Sequence, residues 1–120
     1  MKILSARVHG YLDYITVVGF ALAPALLGLE GLPKYVCYGL AGVHLFLTLL
    51  TDFPLGAAKL VPCRIHGLIE LIVSITLVVL PWVLGFATNP AARIFFVAIG
   101  VTIFVVWLLT NYKKDWPLKR

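Results

Sequence analysis

Charge is what this sequence has least of. Asp, Glu, Lys and Arg make up 12% of its 120 residues, against about 25% in ordinary soluble domains. Acidic residues number five, and serine occurs only as Ser5 and Ser74. Neither serine stands in a nucleophile elbow, and there is no Gly-rich phosphate loop and no HExxH, so hydrolase and nucleotide-dependent chemistries find no foothold. The two cysteines, Cys37 and Cys63, belong to no CxxC, which removes zinc-ribbon and thioredoxin readings.

What is present in excess is apolar. Hydrophobic residues are 62% of the chain and mean hydropathy is +1.02, more apolar surface than so short a soluble chain can bury. Four runs, roughly residues 8–28, 34–51, 65–85 and 91–111, are each long enough to cross a bilayer at about 1.5 Å per helical residue. The expected fold is all-α: an integral membrane four-helix bundle in a single domain, 1–120. The first run superficially resembles a signal peptide, but His9 and Asp13 interrupt it and it has a partner deep in the chain, so it is read as a mature helix.

That partner is part of an internal repeat. Arg7-Val8-His9-Gly10 returns fifty-seven residues later as Arg64-Ile65-His66-Gly67, and the same offset carries Asp13 to Glu70, Pro24 to Pro81, Gly28 to Gly85 and Pro33 to Pro90. Each copy, about 7–56 and 64–112, reads as a helical hairpin. Two spans per copy give both copies the same orientation, so their pseudo-two-fold axis runs along the membrane normal. The apolar segment 52–62 between them reads as interfacial, with a short helix starting at Asp52 and Pro54. Packing faces are expected at Gly19 and Ala23, Gly39 and Gly42, and Ala98 and Gly100, and Trp82, Trp107, Tyr112 and Trp116 read as interfacial anchors.

If the spans alternate, eight of the ten basic residues share the side that holds both termini and the middle loop, leaving Lys34 and Arg93 opposite. By the positive-inside rule both termini are cytoplasmic. The basic surplus is thus a topology signal, and nucleic acid is not an expected partner. Cys37 and Cys63 fall at opposite ends of the bundle, too far apart for a disulfide.

The chemistry-bearing residues are His9, Asp13, His66 and Glu70, with His44 alone in the second span and Asp52 at its end. His9 and Asp13 share a helix face, as do His66 and Glu70. His44 has Thr48 and Thr51 on its stripe, and its counterpart in the fourth span, near Thr102, is no histidine. Ionisable groups within spans are costly and often functional. Three readings stand open. The pairs tie the two repeats together in a structural, non-enzymatic role. Alternatively, His9, His44 and His66 hold a haem or a first-row transition metal, with the carboxylates supporting them. In the third, Asp13 and Glu70 mark a proton or small-ion pathway.

The segments His66-Gly67-Leu68-Ile69-Glu70 with Pro81-Trp82-Val83-Leu84-Gly85-Phe86, His9-Gly10-Tyr11-Leu12-Asp13-Tyr14 with Pro24-Ala25-Leu26-Leu27-Gly28, and Leu50-Thr51-Asp52-Phe53-Pro54-Leu55-Gly56 resemble the SPW-repeat membrane proteins of bacteria. The signature Ser-Pro-Trp is incomplete here: Leu80 and Ala23 take the serine positions, and Ala25 the first tryptophan position. The resemblance implies a four-span protein of the bacterial inner membrane and supplies no catalytic residues. Beyond the bilayer, the expected partners are further copies of the chain or a larger membrane complex.

Overall fold

A computed structural model of the chain describes residues 3–51 and 56–110. Four helices follow one another: α1 (Ala6–Leu27), α2 (Leu32–Leu50), α3 (Cys63–Val83) and α4 (Pro90–Leu109). All four are long and apolar enough to cross a membrane. α1 packs on α2 and α3 on α4, forming two hairpins, with a lighter contact between α1 and α4. The fold is the all-α membrane-type bundle that the hydropathy demands.

Local chemistry sets the boundaries. Ser5 caps α1 by accepting the Val8 N–H at 3.2 Å, and Asn89 caps α4 by accepting that of Ala92 at 3.2 Å. Pro33 and Pro90 occupy first-turn positions, where a missing N–H costs little. Gly28 ends α1 in the left-handed region, at φ 64°. Pro24 and Pro81 sit inside the last turns, and their own carbonyls accept the N–H groups of Leu29 (2.9 Å) and Phe86 (2.8 Å) as the chain leaves each helix.

Burial reveals the register between the hairpins. The interior positions His9, Gly10, Asp13, Phe20 and Pro24 of α1 match His66, Gly67, Glu70, Leu77 and Pro81 of α3 at the offset of fifty-seven. In α2 and α4 the offset is fifty-nine: Pro33, Cys37, Ala41 and His44 match Ala92, Phe96, Gly100 and Ile103. The two extra residues lie in the second turn, 84–89 against 28–31. His44 therefore corresponds to Ile103, next to Thr102 as expected and not a histidine, whereas Pro33 corresponds to Ala92, not to Pro90.

Two backbone bridges repeat the same relation. The Leu4 N–H donates to Leu109 O at 2.9 Å and the Val61 N–H to Leu50 O at 2.7 Å, making parallel bridges Leu4–Thr110 and Thr51–Val61. Both lie at the end of the bundle opposite the turns.

The half nearer the turns is apolar. Phe20, Leu77 and Phe96 are almost fully buried, and Phe86, Phe95 and Phe96 meet edge to face at 5.1–5.6 Å. The outward surface is apolar too, with Leu26 76% and Phe46 67% exposed, as expected where lipid is the solvent.

Several expectations need correcting. Of the small residues, Ala23 and Gly100 face the interior, whereas a Cβ on Gly19, Gly39 or Gly42 would meet nothing within 4 Å and Ala98 is exposed. No helix forms over residues 56–62; Asp52 and Pro54, like Tyr112 and Trp116, lie outside the described residues.

Candidate functional site

The ionisable residues of the spans meet at one place, toward the bridged end of the bundle. His9 and Asp13 come from α1, His44 from α2, and His66 and Glu70 from α3, all at least nine-tenths buried. Arg7 and Arg64, which precede the two histidines, turn outward instead. The i, i+4 spacing stacks each histidine with its own carboxylate, and the parallel course of α1 and α3 brings the two stacks face to face.

Contacts cross between the hairpins. His9 Nε2 lies 2.5 Å from Glu70 Oε2, and His66 Nε2 lies 3.0 Å from Asp13 Oδ2. Within each hairpin the His9–Asp13 and His66–Glu70 separations are both 3.2 Å. His44 Nε2 completes the group at 3.5 Å from Asp13 Oδ1 and 3.9 Å from Glu70 Oε1. All three imidazoles thus present Nε2 to the same two carboxylates. His44 Nε2 and Asp13 Oδ2 are buried in ion-pair contact, at 3.5 Å and 3.0 Å from their partners, without a well-directed hydrogen bond.

The other face of the two symmetric rings is equally ordered. His9 Nδ1 lies 2.7 Å from Thr110 Oγ1, and His66 Nδ1 lies 2.6 Å from Thr51 Oγ1. Each threonine is contributed by the opposite hairpin. Its single hydroxyl proton already goes to the carbonyl four residues back, Val106 for Thr110 and Leu47 for Thr51, both at 2.6 Å. The oxygen can then only accept, so the network assigns Nδ1–H to both histidines. Nε2 is left as the nitrogen that faces the carboxylates.

One ligand atom each from His9, Asp13, His66 and Glu70 lies within 4.8 Å of the others. Two atoms bound to one transition ion at about 2.0–2.2 Å sit about 3 Å apart, and the separations above straddle that value. The donor set of nitrogen and oxygen suits a divalent first-row metal. Nδ1–H groups held by outer acceptors are what metal-binding imidazoles ordinarily have. The charges also close: two carboxylates are balanced by one divalent ion with three neutral imidazoles, or by two imidazolium protons.

Haem does not fit these residues. The His9 and His66 rings stand edge to face with centroids 5.7 Å apart, and Glu70 Oε2 lies within 3.2 Å of both Nε2 atoms, leaving no slot for a porphyrin plane. Nor does a polar path continue past the cluster toward the turns. Among the described residues the interior there is Phe20, Ala23, Leu77 and Phe96, and the hydroxyls of Thr48 and Ser74 are spent on their own helices.

All five span residues singled out in the sequence therefore converge, while Asp52 lies outside the described residues. Thr51 and Thr110 were not anticipated as partners of the histidines. Comparison with family models, with curated proteins and with solved structures returns no match to this chain.

Proposed function

We propose that this is a small multi-pass membrane protein that holds one divalent first-row transition ion between its two hairpins. His9, His44 and His66 bind through Nε2, and Asp13 and Glu70 through their carboxylates. The observation that carries this reading is the buried convergence of donor atoms from His9, Asp13, His66 and Glu70 within 4.8 Å of one another, with His44 Nε2 at 3.5 and 3.9 Å from the two carboxylates. The ion would supply a Lewis-acidic or redox-active centre within the apolar part of the bundle. The chain's own residues hold it, fix the ring orientation and keep bulk water away.

The placement in a bacterial inner membrane, with the site near the cytoplasmic face, is supported by the charge asymmetry of the sequence and the resemblance to SPW-repeat proteins. Ligands drawn from both hairpins make the ion a cross-link as well as a centre. The test is elemental analysis of protein gently extracted from its native membrane. Near-stoichiometric metal, lost on His66→Ala, supports the reading, and metal-free protein that gains no thermal stability from added Cu²⁺, Zn²⁺, Fe²⁺ or Mn²⁺ ends it.

A second reading rests on the 2.5 Å His9–Glu70 contact. There the same residues, balanced by protons, tie the hairpins together with no ion. This version predicts that His9→Ala destabilises the protein while no metal is lost.

A further inference from the structure

We infer that Ile103 is the specificity-determining residue of this site: it withholds a sixth donor and so turns the site against ions that require an octahedron. This rests on the metal reading above and adds to it which ions are accepted.

The two-fold relation between the hairpins defines six donor places. Four are filled in symmetric pairs, His9 with His66 and Asp13 with Glu70. The fifth is His44, whose Nε2 stands 3.5 Å from Asp13 Oδ1 and 3.9 Å from Glu70 Oε1. Its equivalent in α4 is Ile103, buried as His44 is.

Two independent observations support that equivalence. Each residue stands seven positions before the threonine beside a histidine Nδ1, Thr51 for His66 and Thr110 for His9. Seven residues are about two turns, so each shares its threonine's helix face. Further along α4, a Cβ on Gly100 would stand 2.9 Å from Ser74 O, so this stripe packs directly on the helix that carries Glu70. Ile103 lies about 4.5 Å from Gly100 toward the bridged end, and Glu70 about 6 Å from Ser74 in the same direction. Ile103 is therefore near the level of Glu70, on the inward face of α4.

Isoleucine has no lone pair to offer. The chain then supplies three imidazoles and two carboxylates, with hydrocarbon where the two-fold calls for a fourth imidazole. Affinity of such donors follows one order across first-row ions, so selectivity is left to geometry. Zn²⁺ and Cu²⁺ are satisfied by four or five donors, whereas Mn²⁺ favours an octahedron. Five donors closed off by Ile103 therefore select Cu²⁺ or Zn²⁺ and discriminate against Mn²⁺ beyond the ordinary order.

The experiment uses full-length protein in detergent. Nitrogen hyperfine splitting is counted on bound Cu²⁺, and Mn²⁺ and Zn²⁺ affinities are measured by competition. Ile103→His should raise the nitrogen count from three to four. It should also raise Mn²⁺ affinity relative to Zn²⁺ by at least about tenfold, since a direct donor should be worth no less than an outer partner. Ile103→Val, which keeps the hydrocarbon, should leave both readings unchanged. The swap of His44→Ile with Ile103→His should bind copper through three nitrogens again. Three nitrogens and an unchanged ratio in Ile103→His overturn the inference, as does a swap with only two nitrogens. Four nitrogens with the parent's ratio overturn it too, because position 103 would then not set selectivity. Loss of the fold or of copper from both histidine variants also overturns it, since a place equivalent to 44 must accommodate an imidazole. In all these outcomes the parent binds copper and the metal reading stands. A parent that binds none of the three ions overturns both.

Discussion

Thr110, at the end of the second hairpin, accepts the Nδ1 hydrogen of His9 in the first across 2.7 Å. The reciprocal bond from His66 to Thr51, at 2.6 Å, makes the exchange symmetric. Because each hydroxyl proton is already placed on a helix carbonyl, these threonines select the tautomer rather than merely fill space. Thr51→Val and Thr110→Val should each weaken ion binding about 10–100-fold, the usual effect of removing an outer partner of a ligating histidine. Serine at either position should restore most of the affinity, because it keeps the oxygen. Competition titration with a chromophoric chelator measures both effects.

Ion binding should appear as stability, since the ligands come from separate hairpins. At about a hundred times its dissociation constant, the ion should add about 2.7 kcal/mol to the unfolding free energy. Asp13→Asn and Glu70→Gln each remove a charged donor and should abolish that increment. Thermal melts in detergent, with and without chelator, compare the parent with both variants.

His44 is the one donor without an equivalent in the other half, where Ile103 is buried instead. An isoleucine is therefore already accommodated in this setting once per molecule. His44→Ile should fold and still bind copper, with nitrogen hyperfine splitting from two imidazoles instead of three. An unchanged three-nitrogen pattern in the resonance spectrum would remove His44 from the ligand set.

Gly100 marks a close approach of α4 to α3. A Cβ there would stand 2.9 Å from Ser74 O, on the backbone of α3, which cannot yield as a side-chain tip does. Gly100→Ala should cost about 1–3 kcal/mol by overpacking. Gly39→Ala, with nothing within 4 Å of the new atom, should change stability by less than about 0.5 kcal/mol. Chemical unfolding of the two variants side by side checks the contrast.

Orientation can be tested at the turn between α1 and α2. Cys37 is fully buried and makes a poor reporter, whereas Glu30 is largely exposed. With both native cysteines replaced by alanine, Glu30→Cys should react with an impermeant thiol reagent only from outside the cell. Reaction from the cytoplasmic side alone would invert the proposed topology.

The hydrophobic runs and the repeated His-Gly with its trailing carboxylate made the four helices and the heart of the site legible in the sequence. His9, Asp13, His66 and Glu70 could be paired because one offset relates them all. The same offset misled in α2 and α4, since two extra residues in the second turn shift the register there. Leu49-Leu50-Thr51 does recur as Leu108-Leu109-Thr110, but fifty-nine residues on. The bond from each threonine to the other hairpin's histidine is a long-range contact, which helical periodicity along one chain does not encode. Glycine content likewise suggested packing faces, but only a close approach between particular helices decides which glycines are needed.

The paired bridges Leu4–Thr110 and Thr51–Val61 give the protein a ring-like connectivity. The segment leading into α1 lies beside the end of α4 just as the segment leading into α3 lies beside the end of α2. Starting the polypeptide at Val61 and joining Thr110 to Leu4 through a short linker would therefore leave every donor in its place. The order of the hairpins along the chain would then not matter to the site: two half-rings are clasped at one end and differ there chiefly in having His44 on one side and Ile103 on the other.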